Sequence, residues 1–136
     1  MTTALRWIAV PLSGLVAWYA TLLLAIGASG VLDALCPREL VVSGACTATW
    51  YEPAFYALTV AFSALAAILI VFVPALVAPS HRFGVAILAF ACGAAFATYF
   101  AALERSLWGP FVAASVGGSA ALWLASTRWR QRWTAA

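Results

Sequence analysis

Along the chain, long uncharged apolar runs alternate with short segments that hold nearly all of the ionisable residues. The runs extend from about Trp7 to Leu32, Pro53 to Ala78, Phe83 to Leu103 and Leu107 to Thr127. Their flanks are Arg6 and Asp33, Glu52 and His81, Arg82 and Glu104, and Arg105 and Arg128. A bilayer hydrocarbon core about 30 Å thick is crossed by about 20 apolar residues of helix. Inside it a helix is the simplest way to satisfy every backbone N–H and C=O. The pattern therefore predicts an all-α membrane protein, a four-transmembrane-helix bundle forming one domain over residues 1–136. The spans are 7–32, 53–78, 83–103 and 107–127, with an outer loop at 33–52 and a tail at 128–136.

Helix punctuation agrees with this division. Pro53 and Pro110 sit where a first helical turn tolerates a missing N–H. Pro79 stops the second span, Ser80 is placed to cap the third, and the polar Ser80-His81-Arg82 segment leaves room only for a tight hairpin. Pro11 and Pro74 fall inside spans, where local kinks are expected. The stretch from Met1 to Gly30 has some features of a signal peptide, but its apolar region exceeds the about 7–15 residues of such a segment and is read as a membrane span.

Composition narrows the class further. Of 136 residues, 66% are hydrophobic and 8% charged, against about 45–50% and about 25% in soluble domains. So few polar groups cannot cover a water-soluble globule of this size, and no solvated basic face remains for nucleic acid. The expected partners are membrane lipids and other membrane subunits, or further copies of the chain, with no nucleic acid.

All seven basic side chains are arginines. Arg6, Arg82, Arg128, Arg130 and Arg132 fall on one side of the four-span arrangement, Arg38 and Arg105 on the other. This bias predicts cytoplasmic termini, N-in and C-in. Asp33, Glu39, Glu52 and Glu104 then share the outer side. Trp50, Tyr51, Tyr56, Tyr99 and Trp108 make an outer aromatic belt, and Trp7, Trp123, Trp129 and Trp133 an inner one. Abundant alanine without lysine suggests a bacterial cytoplasmic (inner) membrane.

The outer loop contains Cys36 and Cys46, facing the side where disulfides persist. Pairing would close an eleven-residue ring with Gly44 available for a turn, worth about 3 kcal/mol in the chain-entropy view. Leu40-Val41-Val42 is β-prone. Thiol–quinone redox chemistry is the competing reading of these cysteines. It lacks a Cys-x-x-Cys pair and a second shuttling pair, because the third cysteine, Cys92, lies alone in span three, where it is expected at a helix contact. A metal site would need further ligands, and the single histidine, His81, lies toward the opposite side. No metal, cofactor or catalytic residue is assigned.

No ionisable group falls at depth, which argues against proton-coupled carriers and haem proteins. The polar residues within the spans are mostly hydroxyls, able to bond to their own helix or to a neighbour. Small residues form two ridges, Ala89, Gly93, Ala97 and Ala101 in span three and Ala113, Gly117 and Ala121 in span four. Both are expected to pack within the bundle, with a contact to another polypeptide as the alternative. Trp18 and Tyr19 stand away from the belts, near the middle of span one. They are expected to hydrogen-bond internally, or else to touch a lipid headgroup cavity, a quinone or a partner helix. Arg128, Trp129, Arg130, Arg132 and Trp133 read as a lipid-anchoring tail. Glu39, Trp50, Glu52, Glu104, Arg105 and Trp108 form a candidate recognition face. Glu52 is also placed to meet a helix N-terminus, and Glu104 and Arg105 to pair with Arg38 or Glu39.

The leading functional expectation is a non-catalytic accessory, assembly or regulatory subunit of a larger membrane complex. The runner-up is binding or transport of an apolar or lipid-like molecule within the bundle.

Overall fold

The computed structural model describes residues 3–130. It contains four long helices: α1 (Thr3–Ala34), α2 (Tyr51–Val77), α3 (Arg82–Leu103) and α4 (Trp108–Arg130). All four are long and apolar enough to cross a membrane. Leu23, Leu88, Phe96, Val116 and Trp123 are each at least 64% exposed, a surface that a bilayer solvates and water does not. The chain is a four-helix membrane protein.

The helices start and stop close to the predicted positions, for the predicted reasons. Pro53 and Pro110 occupy the first turns of α2 and α4, and α2 ends at Val77, before Pro79. α1 and α2 continue through Pro11 and Pro74. The cap expected at Ser80 is absent. His81 precedes α3 in the left-handed conformation, φ 50°, with no side-chain cap, so the backbone itself makes the turn. α4 runs beyond the expected end of its span, to Arg130.

Close pairings fix the helix directions. The Tyr51 hydroxyl donates to the Asp33 carboxylate where α2 begins and α1 ends. Toward their other ends Gly14 faces the Pro74 ring, 3.3 Å from where a Cβ would stand. α1 and α2 are therefore antiparallel. Along α2 and α4, Tyr56 meets Gly109, Ala64 meets Gly117, and Phe72 stacks on Trp129 with ring centres 5.4 Å apart. Those pairings advance in step, so α2 and α4 run parallel.

α2 is the central helix, packing on α1, α3 and α4, while α3 and α4 also pack together. α1 rests on α2 and barely reaches α3 or α4. The tightest packing lies toward the Arg82 end, where Ala75, Ala78, Ala86, Ala121 and Ala125 are fully buried. Among the described residues no large side chain is fully buried. Lipid tails are as apolar as leucine, so burial alone gives helices little reason to associate. Close backbone approach and dispersion hold them instead.

Between α1 and α2 the chain forms a 3₁₀ turn (Arg38–Leu40) and a hairpin of β1 (Val41–Val42) with β2 (Ala45–Cys46). Val41 pairs with Cys46. Ser43 and Gly44 both have positive φ, 53° and 83°, as the tight primed hairpin turn requires. Cys36 and Cys46 form the expected disulfide, with Cα atoms 6.0 Å apart.

Candidate functional site

The position of α1 creates the site. Because it leans on α2 alone, a furrow opens along its side that faces α3. The lining residues of α1 include Pro11, Leu15, Trp18, Leu22, Ile26 and Ser29, with Gly14, Thr21 and Ala25 between them, a set that recurs at helical spacing and so shares one helix face. At about 1.5 Å per residue the stripe is about 27 Å long, close to the about 30 Å of a hydrocarbon core.

The furrow has two segments. The wide one, 830 Å³, reaches from α1 across α2 to Ala89, Gly93, Ala97 and Phe100 of α3. The narrow one, 300 Å³, lies between α1 and the Phe55–Ala66 half of α2. Trp18, Ser63 and Ala66 belong to both and mark the junction.

The lining offers little directional polarity. Thr21 donates to the carbonyls of Ala17 and Trp18 (2.9 and 2.8 Å), Ser63 to Thr59 (2.8 Å), and Ser115 to Phe111 (2.8 Å). Ser29 and Thr59 likewise donate within their own helices. A hydroxyl proton committed to the preceding turn is not available to a ligand, which leaves these oxygens as acceptors only. The rest of the lining is aliphatic and aromatic surface.

Several predicted residues take places other than those expected. Trp18 and Tyr19 are 42% and 56% exposed and meet edge to face with centres 4.8 Å apart, and their side chains make no hydrogen bond among the described residues. The expected internal bond is absent because α1 presents that face to the furrow and the bilayer, not to a neighbouring helix. Trp18 lines the furrow; Tyr19 lines neither segment. Cys92, expected at a helix contact, is exposed on α3.

The two ridges diverge as well. In α4 a Cβ on Gly117 would stand 2.6 Å from the Ala64 carbonyl oxygen, and one on Gly118 2.8 Å from the Phe90 ring. That ridge is sealed within the bundle, as expected. Of the α3 ridge only Ala101 is buried, at 2% exposure; Ala89, Gly93 and Ala97 face the furrow, and a Cβ on Gly93 would meet nothing within 4 Å.

The tail changes character too. Arg128 and Trp129 belong to α4, and Trp129 is buried against Phe72 at the edge of the alanine core, not seated among lipids. Arg128 is exposed; Arg132 and Trp133 lie outside the described residues.

At the disulfide end, Glu39, Trp50, Glu52, Glu104, Arg105 and Trp108 are all exposed. Glu52 stands in the first turn of α2. The Glu104 carboxylate accepts from the Ser106 N–H at 3.3 Å. Among the described residues no ion pair joins Glu104 or Arg105 to Arg38 or Glu39. The Tyr51–Asp33 bond, which ties α2 to the end of α1, has no sequence signal beyond residue type. Among the described residues no three of His, Cys, Asp and Glu come together as a metal would need.

Comparison with known proteins finds no matching family model, curated protein or solved structure.

Proposed function

We propose that this protein binds the apolar chain of a lipid-class molecule in the furrow between α1 and α3. The carrying observation is the wide segment: 830 Å³ of apolar space beside a glycine with nothing near it. Small-molecule sites span about 300–1,000 Å³. From Ala89 to Phe100 the segment extends about 16 Å along α3, roughly half of the hydrocarbon core. That is a length a single acyl chain can fill, and it lies across the middle of α3. A partner helix would run the full thickness and meet Trp18 across its path, whereas a single flexible chain can end short of the indole. Hydroxyls already bonded within their helices suit a ligand with no polar group at this depth.

The test is photolabelling of the purified protein in liposomes with a phosphatidylcholine carrying a diazirine in its acyl chain. Adducts concentrated on Trp18, Phe96 and Phe100 support the proposal. Equal labelling around Cys92, on exposed α3 surface, opposes it.

A second reading, an accessory subunit of a larger membrane complex, is favoured by six exposed charged and aromatic residues at the disulfide end. Charge reversal at Glu52 and Glu104 that leaves every co-purifying protein in place counts against it. For orientation we propose cytoplasmic termini in a bacterial inner membrane, supported by the five-to-two arginine bias. A reporter active only in the cytoplasm, fused to the C-terminus, checks this.

A further inference from the structure

We infer that Trp18 sets the length of chain the furrow accepts; this rests on the lipid-binding reading and deepens it. The two segments lie along one face of α1 and meet at Trp18, Ser63 and Ala66. Of these three, only tryptophan is bulky. A chain lying in the wide segment reaches the indole before it reaches the narrow one, and serine and alanine opposite cannot block its path. Tyr19 braces the indole edge-on, its ring plane inclined at 67°.

The helix does not depend on this side chain for its seat. Ala17 and Thr21, either side of Trp18, are 7% and 2% exposed. Gly14 approaches the Pro74 ring, and the disulfide and the Tyr51–Asp33 bond secure the far end. Removing the indole therefore joins the 830 and 300 Å³ segments without releasing α1. The joined furrow follows α1 from Pro11 to Ser29, about 27 Å.

The experiment offers the full-length protein an equimolar mixture of dilauroyl-, dipalmitoyl- and diarachidoyl-phosphatidylcholine in detergent and reads retained lipids by native mass spectrometry. Trp18→Ala should raise the diarachidoyl-to-dilauroyl ratio about threefold over wild type, the effect of a handful of added dispersion contacts, with Trp18→Phe between the two. An unchanged ratio in Trp18→Ala overturns the inference. Wild-type retention that Gly93→Leu abolishes leaves the lipid-binding reading standing in that case, while no retention by the wild type overturns both. Circular dichroism confirms folding, and if Trp18→Ala melts, the same ratio in Trp18→Leu decides.

Discussion

The ridges of α3 and α4 are built from the same residues at the same spacing and end in opposite environments. In α4, Gly117 lets the backbone sit against the Ala64 carbonyl, where a Cβ would stand 2.6 Å away. In α3, Gly93 has no neighbour within that reach, and Ala89 and Ala97 beside it look into the furrow. A small residue can thus bring two helices together or hollow out a space between them. What decides is the neighbouring helix. α2 lies close beside α4, whereas α1 leans on α2 and leaves the middle of α3 uncovered.

Substitutions separate the two roles. Gly117→Leu should have the largest effect, destabilising by about 3 kcal/mol or more, because the clash is with backbone that cannot swing aside; unfolding in mixed micelles measures it. Next comes the double change Cys36→Ser, Cys46→Ser. Opening the ring should cost about 3 kcal/mol or less and, by freeing the end of α1, also reduce photolabelling in the furrow. Reduced stability with labelling unchanged would mean that α1 is held in place by α2 alone. Glu104→Ala removes only the bond to the Ser106 N–H. It should cost about 0.5–1 kcal/mol, leaving both ridges undisturbed.

The spans, their order and the disulfide were legible in the sequence because each rests on local chemistry: uncharged runs, prolines at helix starts and two cysteines in one loop. The furrow was not. Gly93 and Gly117 are indistinguishable by spacing, and nothing in residues 7–32 says that α1 stays apart from α3. Trp129 misled for a similar reason. An aromatic between arginines resembles an interfacial anchor until α2 brings Phe72 alongside it. Trp18, placed among apolar neighbours, was recognisable as unusual. Its place at the junction of two segments depends on Ser63 and Ala66 of another helix.

The central claim is that the α3 ridge hollows out a ligand space and does not hold helices together. Gly93→Leu tests it most directly, with stability and acyl-chain photolabelling measured on the same preparation. The leucine should fill open space, leave stability within about 0.5 kcal/mol of wild type, and abolish adducts on Trp18, Phe96 and Phe100. A variant that unfolds as Gly117→Leu does, or that labels as strongly as wild type, would contradict it.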